Sequence, residues 1–319
     1  MTESLGVPPL FAALRDCERV LIAGAGGGFD VYAGLPLAFA LQERGVDVHL
    51  GNLSFAPLHR LDLDVWVGPD LARIDADTEG LGDYFPERTL ARWLQQRGRA
   101  MSVYAFAKVG VLRLREAYQQ LVEQLRLDAV VLVDGGTDIL MRGDEAGLGT
   151  PVEDITSLAA VNGLDVPVRL VTCLGFGIDA FHGVVHTQVL ENLAALDRDG
   201  GYLGALSIPS RSQEAQLYCD AVAHAQDATA SWPSIVNGQI AAALRGESGD
   251  VHITERTGGS TLFVNPLMAV YFTVDLAKLA DRCLYLDRIE ATVSEQQVQA
   301  RIAEFRAGVT RRPARPFPH

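Results

Sequence analysis

Short, nearly continuous apolar runs recur along the chain, separated by longer stretches in which apolar residues return every three or four positions. Runs such as "AVVLV" at 129–133 and "VRLVTC" at 168–173 have almost no polar face, as expected of strands covered on both sides. The stretches between them carry one apolar stripe, as expected of helices lying on a sheet. The pattern predicts strands at 19–23, 46–50, 129–133, 168–173 and 202–208. The clearest helix is "VGVLRLREAYQQLVEQLRL", in which Val111, Leu114, Tyr118, Leu121, Val122 and Leu125 share a stripe. "TPVE" at 150–153 and "TVSE" at 292–295 have the form of capping boxes, and the second opens a closing helix over 294–307 with Val298, Ile302 and Phe305 inward.

Strands alternating with helices predict an α/β, Rossmann-like three-layer fold with a mostly parallel sheet. Toward the C-terminus the pattern changes. "VHITERTGGSTLFV" is two alternating runs around Gly258-Gly259, which predicts an antiparallel hairpin at one edge of the sheet, and "VNPLMAVYFTVDL" reads as a further buried strand. No repeat or linker divides the chain, so residues 1–305 are expected to form one α/β domain. Residues 306–319, ending in the basic, proline-broken "RRPARPFPH", are expected to be a flexible tail or one laid on a neighbouring subunit. The acidic, irregular 54–88 segment is longer than a typical connection and is expected to be a lid or binding loop.

With 27 Lys+Arg against 40 Asp+Glu and a net charge of −13, a nucleic-acid or anionic-membrane partner is not expected, and a small-molecule partner is. Lys108 and Lys278 are the only lysines, so any Schiff-base chemistry would run through one of them. The four cysteines lie far apart without a C-x-x-C, which predicts reduced structural thiols. No apolar run approaches the roughly 18 residues of a membrane span and the N-terminus has no leader pattern, so the expected location is the cytoplasm. P-loop, nucleophile-elbow and H-E-x-x-H patterns are absent from the sequence.

Candidate chemistry gathers in three segments that directly follow predicted strands, where ligands of open parallel sheets bind. In "GAGGGFD", residues 24–30, the glycines Gly24, Gly26, Gly27 and Gly28 would let backbone N–H groups cradle a phosphate or carboxylate, with Asp30 beside them. Against the dinucleotide fingerprint, Phe29 stands in place of the third glycine and the second strand ends in Gly51-Asn52 without an acid, so NAD(P) fits less well than another anion. "DGGTD" places Asp134 and Asp138 where carboxylates can bind a divalent cation, exchange protons or hold an amine. In "CLGFGIDAFHGVVH", a helix starting near Asp179 would put Asp179, His182 and His186 on one face, with His182 an acid/base candidate; equally, Asp179 could be a cap and His186 a core residue. Arg211 could reach an anion in the cleft, and Asn265 could either turn the chain or point its amide at a ligand.

Together "GAGGGFDVYAGLPL", "VDGGTDILMRGDE", "CLGFGIDAFHG" and "FVNPLMAVYF" resemble a bacterial and archaeal family designated Domain of Unknown Function 1152, over about residues 21–287. The resemblance implies a Rossmann-like fold and no particular reaction. From the residues, the expected function is that of an enzyme acting on a small anionic metabolite by acid/base or metal-assisted hydrolysis or elimination, with Asp134, Asp138 and His182 catalytic. The alternatives are an NAD(P)-dependent oxidoreductase and a non-catalytic ligand-binding or sensor protein. A divalent metal and a homo-oligomer are both compatible with the sequence.

Overall fold

In the strand Arg19–Gly24, here β1, successive side chains point to opposite faces: Val20 and Ile22 join one apolar core, Leu21 and Ala23 a second. The strand Ala129–Asp134 divides in the same way, with Val131 and Val133 on the first side and Val130 and Leu132 on the second. A sheet so buried needs a helical layer on each face, and it has both. Helices Asp30–Ala33, Leu35–Gln42, Pro86–Gln96, Gln213–Ala228 and Ile235–Leu244 cover one face; Val111–Leu125, Pro151–Asn162, His186–Arg198 and Glu295–Gly308 cover the other. This computed structural model describes residues 6–80, 82–253 and 263–316.

The remaining strands are β2 (Asp47–Leu53), β3 (Trp66–Gly68), β4 (Leu71–Ile74), β5 (Val103–Phe106), β6 (Ala129–Asp134), β7 (Val168–Cys173), β8 (Tyr202–Ser207), β9 (Gly249–Asp250), β10 (Phe263–Val264) and β11 (Val270–Asp275). Nine of them form one sheet in the order β3-β4-β5-β2-β1-β6-β7-β11-β8. The central five, β5-β2-β1-β6-β7, are parallel; β3 and β4 on one side and β11 and β8 on the other run antiparallel to their neighbours. The chain winds outward from β1 through β2 to β5, then returns to β6 on the other side of β1. The carboxyl ends of β1 and β6 therefore flank a topological switch point, the place where α/β sheets open a crevice.

The mostly parallel α/β sheet agrees with the sequence pattern, and three local expectations change. The antiparallel pair β9–β10 forms a sheet of its own instead of an edge of the large one; its expected Gly258-Gly259 turn lies outside the described residues. The 54–88 segment is not irregular throughout, because "WVGPDLARI" folds into β3 and β4 and extends the sheet. Thr292 does not cap the closing helix; Ser294 accepts from Gln297 N, and Gln297 returns a bond from Val293 N, so the box sits two residues later. Among the described residues no helix is long and apolar enough to cross a membrane. The four cysteines are free.

Candidate functional site

The glycine turn after β1 is built around carboxylates of the protein itself. Gly26 N donates to Asp30 Oδ2 at 2.7 Å. A Cβ on Gly26 would lie 2.7 Å from both Asp30 Oδ2 and Asp154 Oδ1, so glycine is required there by side chains crowding the turn. At Gly27, whose φ is +87°, the ring of Phe55 lies against the α-carbon. Beneath the turn, Asn52 at the end of β2 accepts from Val31 N and donates to Gly28 O and Glu87 Oε1. The position that lacks the acid of a dinucleotide site therefore carries a strut for the loop, a role its sequence context did not signal.

Five carboxylates converge on this corner. Asp134 ends β6 and accepts from Gly136 N at 2.7 Å and Ile139 N at 3.3 Å. Asp138 accepts from the backbone N and the hydroxyl of Thr150. Asp179, on the turn after β7, accepts from Thr137 N at 2.6 Å. Asp154 lies in the first turn of helix Pro151–Asn162, where the positive helix end favours an anion. Four of the five are buried, Asp154 to 2% exposure, and Asp30 is partly exposed. One oxygen each of Asp30, Asp134 and Asp154 lie within 4.8 Å of one another, so these three could hold a metal ion. Asp154 Oδ1 is buried with no hydrogen-bond partner.

Crowding like charges in a dry place resists ionisation. Burial, then the neighbouring acids, push Asp134 and Asp154 well above the ordinary carboxylate range. Asp179 rises for the same reasons, partly offset by the Thr137 N–H. Burial raises Asp138 as well, against the opposing pull of the Thr150 donors and of His182. Burial takes Asp30 to about 7, with the Gly26 N–H holding it down. No arginine or lysine among the described residues pairs with Asp30, Asp134 or Asp154. Lys108 is tied at 2.9 Å to both Glu153 and Glu295, which hold its ammonium charged.

Of the residues singled out in the sequence, the fold brings together Gly24, Gly26, Asp30, Asp134, Asp138 and Asp179. The proposed helical face of Asp179, His182 and His186 does not form. A 3-10 turn spans Ile178–His182, Gly183 adopts φ +84°, and a new helix starts at His186. His182 is exposed, acting on Asp138 only through its charge. His186 packs edge-on against Phe176, with centroids 5.4 Å apart, and burial lowers its pKa. Asn265 turns the chain, accepting from Leu267 N and donating to Phe263 O. Arg211 is exposed and bonds to none of the five acids; its loop borders an apolar cleft of about 400 Å³ lined by Leu37, Ile208, Tyr271 and others. Cys173 is buried, its thiol pushed far up by desolvation, and donates to Phe272 O.

Asp154 was missed in the sequence because "TPVE" reads as a capping box. Thr150 in fact makes no cap bond and spends its hydroxyl on Asp138. An acid next to that glutamate, shortly after an aspartate-rich strand end, was the available signal.

A search of curated proteins finds none that matches. A family model described as "Protein of unknown function (DUF1152)" matches residues 21–310, and the chain belongs to that family.

Proposed function

For this member of a family without a known reaction, we propose an enzyme that acts on a small anionic metabolite, phosphorylated or carboxylated, by hydrolysis or elimination. The observation that carries the reading is the convergence of Asp30, Asp134 and Asp154 near the carboxyl ends of β1 and β6, with Asp138 and Asp179 beside them. The crevice is where this architecture binds ligands, and carboxylates poised there can move a proton or hold a cation. Two other candidate nucleophiles are poorly placed for covalent chemistry: the Cys173 thiol is suppressed by burial, and the Lys108 ammonium is fixed in two ion pairs. The nicotinamide reading has less support. The Gly26 N–H that would meet a pyrophosphate is engaged by Asp30, and the Phe55 ring lies against Gly27.

The test is a substrate panel of phosphate monoesters and of hydroxy- and phospho-carboxylates, assayed with the wild type and with Asp134→Asn. The expected result is turnover of at least one compound and a fall in kcat/KM of about 10²–10⁴-fold in the variant, the range for losing a positioned acid or base. A panel compound that binds but is never converted would leave a ligand-binding protein and overturn the enzyme.

A further inference from the structure

We propose that Asp30, Asp134 and Asp154 bind one divalent cation of the hard, oxygen-preferring class, Mg²⁺, Mn²⁺ or Ca²⁺, near the carboxyl ends of β1 and β6. What the cation does there rests on the proposed function; its binding does not.

Four independent features converge on this assignment. First, the spacing suits it: metal–oxygen bonds of about 2.1 to 2.4 Å set ligand oxygens about 3.0 to 4.8 Å apart around an octahedron, and the three carboxylates offer oxygens all within 4.8 Å. Second, Asp154 Oδ1 is buried and unpartnered. A buried acceptor left bare costs about 1–3 kcal/mol, so native structures seldom keep one without a ligand to meet it. That atom lies on the Asp30 side of the cluster, since one point beside Gly26 lies 2.7 Å from Asp154 Oδ1 and 2.7 Å from Asp30 Oδ2. Third, the ligands are aimed. Gly26 N fixes Asp30, and Gly136 N with Ile139 N fixes Asp134, so the backbone settles their orientation before any ion arrives. Fourth, no lysine or arginine among the described residues pairs with them, and Lys108 is engaged by Glu153 and Glu295.

The donor set also chooses the metal. It contains oxygen alone, with no thiolate or imidazole among the three, which suits Mg²⁺, Mn²⁺ and Ca²⁺ and not zinc or copper. Asp138 and Asp179 are not counted as ligands because neither belongs to the converging set. They lie beside it. The cation also resolves a difficulty in the enzyme reading, since an anionic substrate would otherwise enter a crevice lined with like charge. Bound between the three carboxylates, it would present positive charge to the substrate.

The experiment uses the full chain stripped with chelator near neutral pH, with Mn²⁺ as the probe, followed by electron paramagnetic resonance of free ion and by calorimetry. One Mn²⁺ per chain is expected, displaceable by excess Mg²⁺. Affinity is expected to fall at least about tenfold, about 1.4 kcal/mol, in Asp154→Asn, and to change little in Asp138→Asn. Thermal unfolding read with and without Mn²⁺ should show an upward shift in the wild type that Asp154→Asn lacks; Asp30→Asn serves if Asp154→Asn does not fold. Absence of stoichiometric binding at millimolar Mn²⁺, or undiminished binding by both Asp154→Asn and Asp30→Asn, overturns the site. Stoichiometric binding that the variants weaken, with no turnover of any panel compound, upholds the cation site while the enzyme reading fails. Full turnover by stripped protein that binds no Mn²⁺ does the reverse.

Discussion

The segment that runs from Asp134 to Asp154 passes through two acidic knots, and the two are built on opposite principles. At one, Glu145 is completely buried and yet every oxygen is met: Oε1 accepts from Arg142 N, Asn192 Nδ2 and Arg312 Nη2, and Oε2 from Gly143 N. Arg312 also binds Asp144 and Glu191, and Arg306 caps the carbonyls of Gly143 and Glu145. At the other, Asp154 is as deeply buried, faces two more carboxylates, has no arginine, and keeps an oxygen bare. Burial is common to both; neutralisation is what differs. A carboxylate surrounded by donors from its own chain is a structural fastener, whereas one surrounded by other carboxylates gains no such stabilisation from the chain.

Breaking the satisfied knot should have the largest effect on stability. Arg312→Ala leaves Glu145 buried without its cation and is expected to cost about 2–4 kcal/mol, toward the low side of the range for a broken buried pair because the guanidinium reaches solvent. Urea unfolding measures it. A loss under about 1 kcal/mol would mean the backbone donors alone suffice.

Glu87, under the glycine turn, is an intermediate case: it is wholly buried, with the neutral amide of Asn52 facing it. Burial pushes it from 4.5 to about 7, against the pull of that amide. The folded protein thus holds this proton more tightly than the unfolded chain does, so the group's contribution to stability falls as pH rises from about 4.5 to about 7 and is level above. The span corresponds to roughly 3 kcal/mol at about 1.4 kcal/mol per pH unit. Glu87→Gln should remove that slope and make the protein more stable than wild type at alkaline pH, by an amount of up to that size. Equal slopes in the two proteins would place the titration elsewhere.

The smallest effect, and the most diagnostic in sign, belongs to the unsatisfied knot. In chelator-stripped protein Asp154→Asn replaces an acid whose ionisation burial and its neighbours oppose with a neutral amide, and is expected to stabilise at alkaline pH by about 1–2 kcal/mol. Added Mn²⁺ should reverse the order, because the wild type alone gains binding free energy. A variant less stable than wild type without metal would show that Asp154 is a fastener like Glu145 after all.

Much of the fold was legible. The period-two division of β1 and β6 between two cores is written in their apolar runs, and the alternation of strand and helix implies the parallel sheet that sets the loops after β1, β6 and β7 along one edge. Asp30, Asp134, Asp138 and Asp179 could all be named because each follows a strand within a few residues. The hairpin of β3 and β4 was hidden by the acidic loop around it, whose composition masked two short alternating runs. Asp154 was hidden by helix grammar, and the helical face through His182 and His186 was broken by Gly183, whose left-handed φ no periodicity count reveals.

By itself the sequence determined the layered architecture, the rim on which the glycine and aspartate corners gather, and the acidic balance of the chain. Those follow from local periodicity and from the rule that parallel strands end together. Only the tertiary structure decided which acids are fastened and which are left bare. Arg312 reaches Glu145 across 167 residues, whereas no basic side chain among the described residues reaches Asp154. The fate of a carboxylate depends on which donors packing brings to it, and in this chain the deciding donor comes from the far end of the sequence.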